Sequence, residues 1–234
     1  MTESSLPKPA TSALSVSVSD LSFDYGPGSF SLAVPRLEIA AGESVAFVGP
    51  SGSGKTTLLH LIAGILVPRR GEVRIGDDPI SSFDDRRRRR FRALRIGLVF
   101  QEFELLDYLD VRENILLPFR LRPGAPLDDA RKKAETLALS VGLGDRLEAH
   151  PPKLSPGEKQ RVAICRALVT DPGLVLADEP TSSLDAETGW RVLDLCFSAL
   201  RESGATLLAL THDASSLARF DRVLRVPGLE ELER

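Results

Sequence analysis

Eight residues, Gly49 to Thr56, read GPSGSGKT and match G-x-x-x-x-G-K-[ST], a spacing that holds phosphate. Gly49, Gly52 and Gly54 let the backbone turn tightly and aim its N–H groups at phosphate oxygens. Pro50, Ser51 and Ser53 complete that cradle. Lys55 supplies an ammonium for the β and γ phosphates. The Thr56 hydroxyl is placed to ligate Mg²⁺, and Thr57 to bond a more proximal phosphate. A second element, Leu174 to Glu179, is a run of apolar residues ending in two acids. A buried strand that ends in Asp178 sets a carboxylate beside the phosphate loop, where it can hold Mg²⁺. Glu179, one residue on, can orient or deprotonate the attacking water. A third element is Ser155, whose hydroxyl and neighbouring N–H groups at a helix start form an anion site. That site needs a phosphate from elsewhere, because the chain's own phosphate loop belongs to another lobe. A lone His212 follows the apolar run Leu207 to Leu210.

These residues require particular elements beneath them. Alternation predicts strands over 15–21 and 30–39, and a buried strand over 44–48 runs into Gly49. A helix from Lys55 to about Leu66 stops before Pro68. Short strands follow at 72–75 and 96–100, the second ending at Gln101. From 102 to about 170 the pattern is helical, punctuated by Pro118, Pro123, Pro126, Pro151 and Pro152. One helix there spans 128–141 and closes at Gly142. Alternation then resumes: a strand over 174–177, a helix over 186–203 ending at Gly204, a strand over 206–210, a helix over 214–220 and a last strand over 222–226. Strand–helix alternation on this scale implies a mostly parallel sheet in an α/β fold, with a helical lobe inserted in it.

Bulk properties bound the class. A chain of 234 residues suits one large α/β domain, and a net charge of -3 gives no general pull toward nucleic acid. No apolar run reaches the roughly 18 residues a spanning helix needs. Residues 1–14 are rich in Ser, Thr and Pro and read as a mobile tail without a signal pattern. Cys165 and Cys196 fall in expected helices and read as reduced core thiols. Arg86 to Arg90 follow Asp84 and Asp85, acids that suit a helix start. The Arg run reads as a solvated helix face, with contact to anionic lipid or a partner as the alternative.

LSPGEKQRVAICRAL, from Leu154, resembles the signature helix of ATP-binding cassette (ABC) ATPases, whose common form is LSGGQ. The resemblance runs from about residue 15 to 226. It implies a P-loop NTPase fold: a mostly parallel core, an N-terminal antiparallel β lobe and an inserted helical lobe. The single domain is expected over 15–234, with core and β lobes at 15–101 and 171–234 and the helical lobe at 102–170. Gln101 resembles the Q-loop glutamine, implied at the metal and the attacking water. Ser182 to Asp185 resembles the D-loop, His212 the switch histidine, and Tyr25 the aromatic residue that stacks on adenine. The resemblance further implies a head-to-tail homodimer holding two ATP molecules. In it Ser155, Gly157 and Glu158 of one subunit cap the nucleotide of the other. Pro156 and Glu158 depart from the common signature. Proline suits a helix's first turn but removes a donor, and Glu158 brings negative charge toward a triphosphate. Slow or partner-dependent hydrolysis is the expectation.

IGLVFQEFELLDYLDVRENILLPFRL, from Ile96, resembles the Q-loop region of the lipoprotein-release and macrolide-export ATPases. That resemblance implies an integral-membrane permease as partner, docked near Glu102 to Tyr108. It also implies a cytoplasmic location on the inner face of the cell membrane, with ATP and Mg²⁺ as cofactors. The alternatives are the ATPase of an amino-acid-type importer and a soluble ABC ATPase. The second is disfavoured by the lack of a tandem cassette or a long central coiled coil.

Overall fold

In the computed structural model the described residues are 13–120, 127–180, 204–212 and 214–232. Strands β1 (Val16–Asp24), β2 (Ser31–Ile39) and β4 (Arg70–Ile75) form an antiparallel sheet in the order β2-β1-β4. Val16 and Val18 are buried on β1, and then Leu21 and Phe23, so the buried positions change phase partway along. The pairing with β4 shifts between Ser19 and Ser22, and Asp20 there has a φ of 46°. This bulge turns Leu21 back to the core side. Gly71 makes it sterically feasible, since a Cβ on it would lie 2.4 Å from the Ser19 carbonyl oxygen.

The second sheet has the order β5-β6-β7-β3-β8-β9. Its strands are β5 (Ile96–Val99), β6 (Leu174–Asp178), β7 (Thr206–Leu210), β3 (Ser44–Val48), β8 (Arg222–Arg225) and β9 (Glu230–Glu231). All pairs are parallel except β8 with β9. Every residue of β6 and β7 is buried, as expected of parallel strands covered on both faces. One core cluster joins the β lobe to this sheet through Phe47, Leu58, Ile62, Leu176 and Leu208. A second covers the sheet's other face through Ile164, Leu168, Val175 and Phe220.

The helices are α1 (Lys55–Ile62), α2 (Asp85–Arg95), α3 (Val111–Arg120), α4 (Leu127–Ser140) and α5 (Pro156–Leu168). Asp84 caps α2, accepting from the Arg87 N–H at 2.7 Å. Much of the Arg run has local work. Arg87 lies 3.6 Å over the Phe83 ring, Arg88 donates to the Phe83 carbonyl, and Arg89 pairs with Asp85; beyond the run, Arg92 reaches the Gly64 carbonyl at 3.1 Å. Helices α3, α4 and α5 share a third cluster around Ile115, Ala134, Leu143 and Val162. Gly97 lets α5 close onto β5, because a Cβ there would lie 2.5 Å from the Ala167 carbonyl oxygen. Among the described residues no helix is long and apolar enough to cross a membrane.

Three expectations change. Helix α1 ends at Ile62 rather than near Leu66, because Gly64 turns left-handed at φ 65°. Residues 102–110 are turns, not helix: buried Asn114 accepts from the Leu106 N–H at 2.8 Å and donates to the Leu109 and Asp110 carbonyls at 3.0 Å each. Ala214–Arg219 is 3-10 rather than α-helix. The expected helix over 186–203, Cys196 and Ser182 to Asp185 lie outside the described residues. Cys165 is buried and free, and burial pushes its thiol pKa up to about 12, as a core thiol requires.

Candidate active site

Strand β3 delivers Gly49 to the carboxyl edge of the parallel sheet, and the loop to Gly54 leads directly into α1. Gly49, Gly52 and Gly54 have φ of 151°, 78° and 95°. Gly49 is doubly constrained, since a Cβ would lie 2.5 Å from the Val226 carbonyl oxygen. No side chain caps α1 at Gly54, so its first N–H groups point into the loop. Lys55 is 6% exposed and donates to the Gly49 and Pro50 carbonyls at 2.8 and 3.0 Å. The Ser53 hydroxyl is buried without a hydrogen-bond partner. Pro50 and Ser51 are exposed on the loop's outer rim.

Asp178, the last residue of β6, is buried, and its carboxylate accepts from the Thr56 hydroxyl. Burial raises its pKa above the ordinary value, and the nearby Glu179 charge adds to that. Thr56, His60 and Lys55 oppose the rise. His60, on α1, has its own pKa lowered by burial, against the pull of Asp178. Glu179 leaves the strand in a left-handed conformation, φ 44°, with its N–H donated to Leu210 at 3.1 Å. A carboxylate held in that region marks stored strain. His212 follows β7, and its Nε2 lies 2.7 Å from a Glu179 carboxylate oxygen. Strands β6 and β7 thus bring together two residues 33 apart in sequence (212 − 179).

Tyr25 is exposed at the rim of the same loop. Its ring meets Phe23 edge-on with centroids 4.9 Å apart, and its hydroxyl lies 3.0 Å from the Thr57 hydroxyl. Gln101 is an exposed turn residue just past β5. Val99 is in register with Ala177, so Gln101 emerges at the same sheet edge as Asp178.

Ser155, Gly157 and Glu158 sit apart, at the start of α5 in the helical lobe. Ser155 is the N-cap and accepts from the Glu158 N–H, while the Glu158 carboxylate accepts from the Ser155 N–H at 2.8 Å. This reciprocal capping box explains both departures from the common signature: Pro156 takes the position where no N–H is needed, and Glu158 closes the box. Arg146 donates to Glu158 at 2.9 Å. The Ser155 backbone N–H, more than Arg146, holds the Glu158 pKa below the usual carboxylate range. Glu158 is therefore turned back onto its own helix, not extended toward a ligand.

The loop residues and acids suit a triphosphate with a divalent ion. Ser53 is an orphaned donor inside the cradle, Lys55 carries its charge on loop carbonyls, and Thr56 and Asp178 offer adjacent hard oxygens. Among the described residues no group of three or more His, Cys, Asp or Glu could hold a metal unaided. The ion's remaining ligands would be phosphate oxygens and water.

A family model described as ABC transporter matches residues 32–182. The chain belongs to the ABC transporter family. It is similar to the uncharacterized ABC transporter ATP-binding protein YbbA of Escherichia coli (strain K12), 42% identical over 90% of this chain and 93% of that protein. It is likewise similar to the lipoprotein-releasing system ATP-binding protein LolD of Hydrogenovibrio crunogenus (strain DSM 25203 / XCL-2). There the identity is 43%, over 90% of this chain and 93% of that protein. Among solved structures, the dimeric post-hydrolysis state of the ATP-binding cassette MJ0796 bound to ADP and Pi superposes with a TM-score of 0.81. It shares 33% identity and covers 94% of this chain and 99% of that one. This ABC protein is an ATP-binding subunit and an ATPase, and its fold is that of the cassette.

Four contacts at or near the site escape a reading by motif: His60 facing Asp178, Tyr25 bonded to Thr57, Arg146 on Glu158, and Arg166 on the turn after Gln101. The Ser-x-x-Glu spacing signals the cap that Arg146 joins, and Arg166 in an apolar stretch signals a buried charge, but neither signal names the partner.

Proposed function

We propose that this ABC ATPase powers a membrane permease of the lipoprotein-release or macrolide-export type, through ATP-driven closure of a head-to-tail homodimer. The observation that carries the catalytic part is the Glu179–His212 pair at 2.7 Å, set one residue beyond the buried Asp178. Lys55 exchanges the Gly49 and Pro50 carbonyls for phosphate oxygens. Thr56, Asp178 and Gln101 would hold Mg²⁺, which when bound neutralises charge developing on those oxygens. Glu179 accepts a proton from, or orients, the water that attacks the terminal phosphorus, and the bond to the ADP oxygen breaks. His212 fixes the Glu179 carboxylate and faces the terminal phosphate. Tyr25 supplies an aromatic face for adenine.

Ser155 and Gly157 of one subunit would meet the phosphate held by the other subunit's loop, because they lie in the helical lobe. Loss of the terminal phosphate removes that bridge, and the dimer opens. The permease reading is supported by the likeness to LolD, a lipoprotein-releasing system ATP-binding protein, and the dimer by the likeness to a dimeric cassette. With such a partner the chain would sit in the cytoplasm against the inner face of the membrane.

The direct test is Glu179→Gln, examined by size-exclusion chromatography with ATP. Turnover should fall at least about a hundredfold while ATP binding persists and a dimer accumulates. A variant that binds ATP yet elutes as a monomer refutes the sandwich. Purification from host membranes then tests the partner. A permease with a large external domain supports this reading, whereas a many-span permease with a solute-binding protein indicates an importer.

A further inference from the structure

Arg166 is buried in α5, in the stretch from Val162 to Leu168 where every residue is buried and all the others are apolar. It donates to two backbone carbonyls, those of Phe103 and Glu104. These two residues follow Gln101 by two and three positions. Both are non-glycine residues held left-handed, at φ of 63° and 48°. Within the turn the Phe103 N–H reaches the Phe100 carbonyl at 3.0 Å and the Glu104 N–H the Glu102 carbonyl at 2.7 Å, while Asn114 holds the chain farther on, from Leu106 to Asp110. A non-glycine residue in this region costs about 1 kcal/mol or more. Two in succession therefore need an external restraint, and a planar guanidinium with its donors in a fixed fork suits paired carbonyls.

We infer that Arg166 is a positioning residue: it clasps the strained turn after Gln101 and so ties the glutamine's place at the sheet edge to the helix that begins at Ser155. The inference rests on the reading of Gln101 as a nucleotide-site residue. It extends that reading by naming what sets the glutamine's position. Helix α5 carries Ser155 and Gly157 at one end and Arg166 at the other. Movement of the helix on engaging a partner's phosphate is then delivered to Gln101 through one side chain. Arg166 and Glu104 also line a groove of about 400 Å³ with Leu98, Phe100 and Leu117, so the clasp is reachable from the surface. Burial lowers the Arg166 pKa and the Glu104 charge opposes it, in keeping with a guanidinium held by carbonyls rather than by a paired acid.

The test is a double-mutant cycle between Arg166→Lys and Gln101→Ala, read by steady-state ATP hydrolysis on the full chain. Lysine keeps the charge but replaces the planar fork, with one nitrogen on each carbonyl, by a single ammonium on a shorter side chain. Arg166→Lys should lower kcat about tenfold or more, with KM for ATP changed less than about threefold. In the Gln101→Ala background the same substitution should cost less than about twofold, because the group it positions is gone. Glu104→Gly removes the penalty for the left-handed backbone and should restore part of the lost kcat in Arg166→Lys. A merely structural arginine lowers thermal stability and the active fraction by the same factor in both backgrounds. Full additivity of the two substitutions overturns the inference while leaving the role of Gln101 intact. A Gln101→Ala protein with unchanged kcat overturns both.

Discussion

Replacing Glu158 with glutamine should make this protein less stable and faster at the same time. The carboxylate has two partners. It accepts from the Ser155 N–H at 2.8 Å and from Arg146 at 2.9 Å. Glutamine keeps the first bond through its side-chain oxygen, since the capping box accepts either residue. The negative charge is lost. Its interaction with the α5 macrodipole is worth about 0.3–1 kcal/mol. The Arg146 side chain is 54% exposed, so the ion pair is worth only about 0.2–1 kcal/mol. The sum, about 1 kcal/mol, corresponds to a midpoint lower by roughly 2–4 °C for a chain of this size.

The pH dependence has a defined sign. The Glu158 pKa is lowered in the fold, chiefly by the Ser155 N–H. Its stabilisation is therefore complete above the unfolded carboxylate value and lost as pH falls through the folded one. The gap between wild type and Glu158→Gln should be full at pH 7 and close below about pH 4. Activity moves the other way. In the proposed dimer Glu158 stands at the helix start that faces the partner's nucleotide, and removing a like charge of about 1 kcal/mol raises kcat/KM about fivefold. Thermal melts at both pH values and a phosphate-release assay read the two effects. A variant equally stable at pH 7, or one that hydrolyses ATP no faster, refutes the reasoning.

Asp178→Asn carries the opposite pairing of effects. The buried carboxyl has a raised pKa, so its ionised form destabilises the fold at neutral pH, and that penalty is relieved as pH falls through the raised value. Asparagine still accepts from Thr56, so the nucleotide-free melting point at pH 7 should rise by about 1–4 °C while Mg²⁺-dependent turnover falls about a hundredfold; a lowered melting point contradicts it. Tyr25→Phe removes only the bond to Thr57, so ATP affinity by calorimetry should stay within about twofold, whereas Tyr25→Ala should weaken it about tenfold. Equal affinity in both variants returns Tyr25 to packing.

Most of the phosphate site is legible in the chain because its chemistry is local. Six consecutive loop residues and a helix start need no distant partner to be recognised, and the buried run before Asp178 announces its own strand. The rest depends on long-range placement. The β1 phase change is invisible in Ser15 to Leu21 alone, because the glycine that permits it is Gly71, on another strand. The segment 102–110 has helical composition, but Asn114 pulls it into turns through its side chain. Arg166 in a run of small apolar residues marks a buried charge, but which carbonyls it meets is settled only by the packing of α5 on β5. Pro156 and Glu158 look like defects against the common signature and are the parts of one helix cap.

That cap bears on how the proposed dimer would work. A site made of the loop, Asp178, Glu179 and His212 gathers on one sheet edge, and every member comes from a strand end of the same sheet or the helix after it. The start of α5 belongs to a separate core around Ile115, Ala134 and Val162. Its N–H groups and those of the phosphate loop are both anion-seeking ends, and like ends of two helices gain nothing by meeting without an anion between them. In the proposed dimer a second copy would bring its own α5 start to the loop when a phosphate lies there to be shared, so electrostatics favours closure with nucleotide bound. Because Glu158 adds a negative charge to one of those ends, it would lower the gain from sharing, so in the proposed dimer the residue that completes the helix cap would also tune how readily the two subunits close.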